Sequence, residues 1–363
     1  MKYLSEYRNL EATKKILDEI HKITTREWNI MEICGGQTHS LVKNGILELL
    51  PKKIKMIHGP GCPVCVTPAS LIDKAIELLN QGVIVCSFGD MIRVPGSKKS
   101  LLEAKTHGGD LRILYSPIEA VSVAKENPDK EVVFFAVGFE TTAPANALSV
   151  LLAKKEAVLN FSILASQVLV PPAMEAILED KFCTIDVFLA AGHVCAIMGI
   201  QEYYPLVSKF KIPIIVTGFE PLDLVQGIYM AVKQLENGKY KLENQYVRIV
   251  KEHGNKLAIE AIQKVFEVGK REWRGIGEIP NSGYVIKSAY KKFDAAVKFN
   301  IQHNKETKNN ACIAGEILKG IKKPIECNQF AKTCKPANPL GAPMVSSEGA
   351  CAAYYHFSTN LND

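Results

Sequence analysis

The stretch VVFFAVGFETTAPANALSVLLAKK, residues 132–155, shows the repeating unit from which the fold is built. Its apolar, β-branched beginning predicts a strand at Val132–Val137. Gly138 marks a turn, and the pattern after it predicts a helix at Ala145–Lys154. The same order recurs along the chain, with strands at Ile54–Ile57, Val83–Ser87, Arg112–Tyr115, Phe161–Ala165, Val187–Ala191 and Ile214–Thr217 and helices at Ser70–Leu79 and Leu222–Leu235.

This alternation predicts an α/β fold in which helices cover parallel sheets on both faces. We expect three domains, at residues 28–128, at residues 129–243, and at residues 1–27 together with 244–363. The first two each contain their own parallel sheet. The third contains a helix near the N-terminus at 5–22, a long helix at 245–272 and a loop-rich C-terminal segment.

The composition is that of a globular protein with an ample core. Of the 363 residues, 47 % are hydrophobic and 23 % are charged. The net charge of +6 is mild, and no long run of Lys or Arg indicates nucleic-acid binding. No apolar run reaches the roughly 18 residues of a membrane span, and the charged start is unlike a signal peptide. We therefore expect a cytoplasmic protein, in which ten cysteines indicate metal or redox chemistry.

Four cysteines lie near the end of the chain in the spacing C-x14-C-x6-C-x16-C, namely Cys312, Cys327, Cys334 and Cys351. The prolines and glycines between them prevent long helices, so this segment can wrap around a metal centre. Four thiolates are the usual ligands of a cubane cluster, whereas zinc sites normally carry C-x2-C steps. We expect a [4Fe–4S] cluster here, with a structural zinc site or unrelated buried thiols as the alternatives.

Three further cysteines precede predicted helices in the first part of the chain. Cys34 follows a short strand that ends at Ile33, and a helix begins near Thr38. The free N–H groups and the dipole of that helix favour the thiolate, which is the form that binds metal or acts as a nucleophile. Cys62 and Cys65 form a C-x2-C pair. A thiol–disulfide redox pair, half of a metal site and an inert pair all remain open for them.

Glu140 and His193 each follow a predicted strand. Ligands of open α/β sheets bind at the carboxyl ends of strands, so we expect both residues to face one crevice. They are candidates for ligand binding or proton transfer, and a purely structural turn is the alternative. Cys86 lies inside an apolar strand and is expected to belong to the core, while Cys183 and Cys195 receive no role.

Seven motifs occur in this order: EICGGQTH at 32–39, HGPGCPVC at 58–65, FGDM at 88–91, GFETTAP at 138–144, GHV at 192–194, GFEPLD at 218–223 and PMVSSEGAC at 343–351. Through them the chain closely resembles the HypD family of hydrogenase maturation factors over nearly its whole length. The resemblance implies a three-domain α/β protein that carries one [4Fe–4S] cluster. It also implies that the protein and a small partner, HypC, form the scaffold on which the Fe(CN)2CO unit of [NiFe]-hydrogenases is built.

The resemblance further implies partners and residue roles. The HypE–HypF pair supplies cyanide, and the hydrogenase large subunit is reached through HypC. By position, Cys34 holds the iron of the Fe(CN)2CO unit jointly with a HypC cysteine, while Cys62 and Cys65 form the thiol–disulfide pair. The cluster ligands are Cys312, Cys327, Cys334 and Cys351. We hypothesise that these three groups of cysteines line one cleft.

Two other functions compete with this interpretation. The first is a cluster-dependent disulfide reductase that resembles ferredoxin:thioredoxin reductase. It requires Cys62 and Cys65 but not Cys34. The second is a non-catalytic binding module that a zinc ion holds together.

Overall fold

The structure is a computed structural model that describes residues 8–301 and 311–357. The start of the helix predicted at 5–22 and residues 302–310 and 358–363 of the predicted third domain lie outside the described residues. The strands are β1 Trp28–Glu32, β2 Ile54–His58, β3 Ile84–Ser87, β4 Leu111–Ile113, β5 Val132–Gly138, β6 Phe161–Gln167, β7 Val187–Ala191, β8 Ile214–Thr217, β9 Leu242–Asn244, β10 Phe266–Trp273 and β11 Gly277–Ile286. The helices are α1 Leu10–Ile23, α2 Gly35–Lys43, α3 Ile46–Leu49, α4 Pro63–Val66, α5 Ala69–Asn80, α6 Leu101–Lys105, α7 Pro117–Glu126, α8 Ala143–Lys155, α9 Val170–Leu178, α10 Gly192–Met198, α11 Tyr204–Phe210, α12 Pro221–Glu236, α13 Lys256–Val265, α14 Ala295–Lys298, α15 Ala314–Leu318 and α16 Ala350–Phe357.

Two parallel sheets form the framework and confirm the predicted α/β fold. Sheet A has the strand order β2-β1-β7-β8-β9, and sheet B has the order β4-β3-β5-β6. The strand pairs in both sheets are parallel. The strands predicted at Val187–Ala191 and Ile214–Thr217 are confirmed residue for residue, and the ends of the others differ by one or two residues.

The division of the chain between the sheets differs from the prediction. Sheet B takes the continuous run from β3 to β6, whereas sheet A joins β1 and β2 to β7, β8 and β9. In β1, Ile30 pairs with Met56 on one side and with Val187 on the other. The expectation that residues 28–128 and 129–243 each form a separate sheet is therefore wrong, because that boundary falls inside sheet B. Apolar runs indicate buried parallel strands, but they do not reveal which strands become neighbours.

Both faces of most strands are buried, which explains the continuous apolar runs in those strands. All residues of β5 and β6 are buried. The adjacent residues Phe134 and Phe135 point to opposite faces, where Phe134 belongs to one core with Val150 and Phe135 belongs to another with Ile72. Among the helices of the described residues, none has the length and apolar composition that crossing a bilayer requires.

Helix α1 packs on α12 beside sheet A, which corrects the predicted third domain. Its residues Leu17 and Ile20 belong to the same core as Trp28 and Ile228. The apolar face of an amphipathic helix is compatible with any apolar surface, so the sequence pattern alone could not indicate which surface it covers.

The helix predicted at 245–272 is confirmed only at Lys256–Val265, after which the chain forms the antiparallel hairpin β10–β11. The hairpin is anchored beside β6, where the Leu169 N–H donates to the Ser282 carbonyl over 2.9 Å. This tertiary pairing outweighs the local helix propensity. Residues of the hairpin belong to the cores of both sheets, so the segment after residue 244 does not form a separate unit: Trp273 and Ile279 pack with sheet A and Tyr284 and Ile286 with sheet B.

The burial of Phe134 generates a stability prediction. Phe134→Ala removes a fully buried ring, and we expect the free energy of unfolding to fall by about 3–5 kcal/mol. Leu159→Ala is the control, because Leu159 is 58 % exposed and its truncation should change stability by less than about 0.5 kcal/mol. Chemical denaturation followed by circular dichroism measures both variants. Equal losses in the two would contradict the described core.

Candidate functional site

The candidate site lies where four neighbouring strands of sheet A end. In the order of the sheet, β2 leads to Cys62 and Cys65, β1 to Cys34, β7 to His193 and β8 to Phe219. Because these strands are parallel, their following loops emerge at the same edge, which is where α/β sheets bind ligands. The first three loops were predicted from their chemistry. Phe219 was missed, although it lies in the GFEPLD motif.

The sulfur of Cys34 lies against the imidazole of His193. The Cys34 Sγ is 3.7 Å from Nδ1 and 3.8 Å from Nε2 of His193. The imidazole stacks on the ring of Phe219, with ring centroids 5.0 Å apart. Cys34 is buried. A thiol and an imidazole side by side form a donor set that suits iron, copper, nickel or zinc.

Burial controls the protonation of this pair. It raises the pKa of the Cys34 thiol far above its ordinary value, and the carboxylate of Glu348 raises it further. Burial also lowers the pKa of His193 to about 4. The backbone N–H groups of Gly36 and Gln37 lower the pKa of Cys34, as expected at the start of a helix, but burial outweighs them. Burial therefore opposes the predicted thiolate and favours a neutral thiol beside a neutral imidazole.

The loop that follows β2 touches the backbone of Cys34. The Gly35 N–H donates to the Gly61 carbonyl over 2.9 Å. A Cβ atom at Gly61 would lie 2.2 Å from the Cys34 nitrogen, so only glycine allows this approach. Cys62 is the next residue, and a disulfide joins it to Cys65 across the first turn of α4. The structure thus places the C-x2-C pair directly beside Cys34, while its redox role stays a prediction.

The four C-terminal cysteines line one cavity. Its volume is about 20 Å³, and its other lining residues include Phe330 and Met344. Burial raises the pKa of Cys351, and the three other cysteines raise it further, which shows that all four thiols lie within electrostatic reach of one another. Within residues 8–301 and 311–357, no three Cys, His, Asp or Glu side chains are grouped closely enough to hold a single metal ion.

The cavity and the disulfide share a wall. Helix α4 packs against the 3-10 turn at Ala342–Met344, which contributes to the lining of the cavity. Val64, between the two disulfide cysteines, packs in the core that contains Ala342 and Val345. The disulfide loop therefore contacts both the backbone at Cys34 and the wall of the cavity, while a single cleft lined by all three groups of cysteines stays a prediction.

The segment just before α16 packs against the start of α2, next to Cys34. A Cβ atom at Gly35 would lie 2.5 Å from the Cβ atom of Glu348, so the two backbones are in close contact. His39 Nδ1 is 3.0 Å from the Ser347 carbonyl oxygen, which ties the first turns of α2 to the same segment. The sequence analysis assigned no role to Glu348, although it lies in the motif that ends at Cys351.

Comparison with known proteins identifies the family. The HypD model, described as the hydrogenase formation hypA family, matches residues 11–358. The chain belongs to the HypD family. It is 44 % identical to hydrogenase maturation factor HypD of Rhodobacter capsulatus over 370 residues and 43 % identical to that of Escherichia coli over 366 residues, with 98 % of each chain covered. HypD2 of Bradyrhizobium diazoefficiens is 44 % identical over 368 residues and covers 98 % of this chain and 97 % of its own. The resemblance given by the seven motifs is thus confirmed.

In this HypD-family chain, Glu140 is a buried carboxyl group with a backbone hydrogen-bond partner. It is fully buried after β5, and its Oε1 atom accepts from the Val170 N–H over 2.9 Å. Its Oε2 atom has no hydrogen-bond partner within the described residues. Burial raises the pKa of Glu140 to about 8. The carboxyl group raises the pKa of Cys195 and of Tyr203, so it is close to both.

The contacts of Glu140 and His193 differ. His193 faces Cys34 and Phe219, whereas Glu140 faces the start of α9. They follow strands of different sheets, because β5 belongs to sheet B and β7 to sheet A, and a shared crevice stays a prediction. A role of either residue in catalysis stays a prediction.

The raised pKa of Glu140 predicts how stability depends on pH. Between about pH 4.5 and pH 8 the unfolded chain releases a proton that the folded protein keeps, so rising pH destabilises the protein. The slope is at most about 1.4 kcal/mol per pH unit. Glu140→Gln keeps a carbonyl oxygen that can accept from the Val170 N–H. It lacks the carboxyl group whose protonation makes stability depend on pH. Its stability relative to the wild type should therefore rise from pH 5 to pH 8 in urea unfolding.

The matched control is Glu119→Gln on α7, where the side chain is exposed. Its stability relative to the wild type should stay constant over the same pH range. A constant difference for Glu140→Gln as well would show that Glu140 is ionised in the folded protein.

Proposed function

We propose that this protein is a hydrogenase maturation factor in which Cys34 holds the iron of an Fe(CN)2CO unit as cargo. The observation that carries the proposal is the contact between the Cys34 sulfur and His193 beside the Cys62–Cys65 disulfide. Low-spin ferrous iron with cyanide and carbon monoxide is a soft centre, which thiolate ligands suit. A cysteine of a HypC partner completes the ligand set, and HypE and HypF supply the cyanide. HypC then links the assembly to the hydrogenase large subunit.

The residues around Cys34 serve the arrival of the iron. The thiol must lose its proton when its sulfur binds iron, and the Nδ1 atom of neutral His193, at 3.7 Å, is the neighbouring base that can accept it. Phe219 holds the imidazole by stacking. Burial of the pair keeps water away from the unit under assembly.

The four C-terminal cysteines would hold a [4Fe–4S] cluster. The arrangement fits such a group, because the four thiols line one cavity in which Phe330 and Met344 supply apolar walls. A [4Fe–4S] cluster has one iron atom for each cysteine thiolate, so its four ligands lie around the cluster as the four cysteines lie around the cavity. When bound, it supplies single electrons. Reduction of the neighbouring Cys62–Cys65 disulfide takes two electrons and two protons and yields two thiols. The packing of α4 on the turn at Ala342–Met344 supports electron transfer from such a cluster to this disulfide.

The disulfide reductase without iron cargo is the second candidate function. The contact of the disulfide helix α4 with the wall of the cavity favours it, because electrons from the cavity would reach Cys62 and Cys65 without any contribution from Cys34. The two candidates differ in whether Cys34 is needed.

Metal and sulfide content distinguish a [4Fe–4S] cluster from a zinc site. We expect the anaerobically purified protein to contain about four irons and a matching amount of inorganic sulfide. Cys351→Ser should lose most of both, because it removes one ligand, whereas Cys183→Ser should retain them, because Cys183 lies outside the cavity. Metal and sulfide analysis measures each variant. Zinc without sulfide would overturn the cluster in favour of the zinc-stabilised module.

The second prediction concerns the cargo. Infrared spectra of the protein purified with its HypC partner should show bands of bound cyanide and carbon monoxide, and Cys34→Ala should remove them. Cys183→Ala is the control and should keep the bands. Cyanide and carbon monoxide bands that persist in Cys34→Ala would overturn the cargo role. Full disulfide reductase turnover in Cys34→Ala, together with an absence of bands in the wild type, would establish the second candidate.

A further inference from the structure

A fully buried carboxylate organises the backbone at Cys34. The Glu32 Oε2 atom accepts from the Cys34 N–H over 3.0 Å. Its Oε1 atom accepts from the Thr38 hydroxyl in the first turn of α2 and lies 2.7 Å from His58 Nδ1. A buried carboxyl group that lost one of these partners would be costly, so Glu32 fixes the position of Cys34 relative to α2 and to His58.

The hydrogen-bonded chain continues from Glu32 to the helix of the C-terminal cysteines. The His58 Nε2 atom is 3.0 Å from the Tyr354 hydroxyl, and the two rings are in edge contact with centroids 5.3 Å apart. His58 and Tyr354 are both buried. Tyr354 lies on α16 one turn after Cys351, so both side chains project from the same face of that helix. Three hydrogen bonds thus lead from the Cys34 amide to a residue one turn from a cavity cysteine.

We propose that Tyr354, His58 and Glu32 form a positioning relay that makes the setting of Cys34 depend on the occupancy of the four-cysteine cavity. The proposal rests on the proposed function for what fills that cavity. Cys351 is on α16, so a group bound there fixes this helix and, with it, the Tyr354 hydroxyl. The orientation of His58, the hydrogen bond to Glu32 and the Cys34 amide follow in turn. None of the three relay residues touches the reacting sulfur, so they act through the backbone of Cys34.

The relay couples two sites, and coupling has a measurable signature. If the relay transmits the occupancy of the cavity, then breaking the relay and emptying the cavity raise the alkylation rate of Cys34 by the same route. The two changes together then raise that rate no more than either change alone. If the hydrogen bonds only stabilise the fold, the two changes are independent and their effects multiply. This difference separates a positioning role from a structural one.

Tyr354→Phe is the most conservative change, because it keeps the ring contact with His58 and removes only the hydroxyl. Tyr355→Phe is the matched control, since Tyr355 is the next residue on α16 and its ring packs on His356. The probe is the rate at which iodoacetamide alkylates Cys34, followed by peptide mass spectrometry on anaerobically purified protein before and after iron removal with a chelator. This readout is independent of any maturation activity.

We expect Tyr354→Phe to speed alkylation of Cys34 about fivefold, as the loss of one hydrogen bond of ordinary net strength would do. Iron removal should speed the wild type and Tyr355→Phe by a similar factor, and it should leave Tyr354→Phe unchanged. Multiplying effects in Tyr354→Phe, or equal rates in Tyr354→Phe and Tyr355→Phe, would overturn the relay. If near-ultraviolet circular dichroism shows that Tyr354→Phe does not fold, His58→Gln replaces it.

Protein without iron and sulfide would overturn the proposed function and not the hydrogen-bonded relay. In that protein the alkylation rates of Tyr354→Phe and Tyr355→Phe still decide whether Tyr354 positions Cys34. The failure of one proposal is thus distinguishable from the failure of the other.

Discussion

The close approach of Gly61 to the backbone of Cys34 is the contact on which the site depends. A side chain at position 61 would overlap the Cys34 nitrogen, and a side chain at Gly35 would overlap Glu348. Two glycines therefore determine how near the disulfide loop and the C-terminal segment come to the Cys34 thiol. Their freedom from side-chain overlap matters more here than their backbone flexibility, since neither position requires a positive φ angle. Three segments that are far apart in the chain can contribute to one site because their backbones are in contact.

Burial determines the electrostatics of the site, and the start of α2 only modifies them. Burial raises the pKa of Cys34 and lowers that of His193, so it favours the neutral form of both side chains. A buried charge without a partner is expensive, and the N–H groups at one helix end cannot offset that cost. A site of this kind acquires its charge together with its ligand, because a metal that binds the sulfur displaces the proton.

The sequence predicted what local chemistry determines and missed what tertiary contacts determine. Val187–Ala191 was correct to the residue because burial on both faces leaves a continuous apolar run. Cys34, Cys62 and Cys65 were identified because thiols near helix starts are chemically distinctive. Phe219 and Glu348 were missed, since their parts in the site arise only where β8 and the segment before α16 meet Cys34. The assignment of strands to sheets failed for the same reason, because the pairing of β1 with β7 is a contact between segments far apart in the chain.

Helix α2 explains why the C-terminal segment does not form an independent domain. Cys34 immediately precedes the helix, and Val42 near its end packs with Phe330, Met344 and Tyr354 in the core of the cysteine segment. One helix is therefore part of the iron-binding site that we propose and also part of the wall that supports the four-cysteine cavity. Packed protein interiors are stiff, so a displacement of this helix at one site changes its contacts at the other. A separate domain joined by a flexible linker would lose this dependence, whereas a segment packed on α2 retains it.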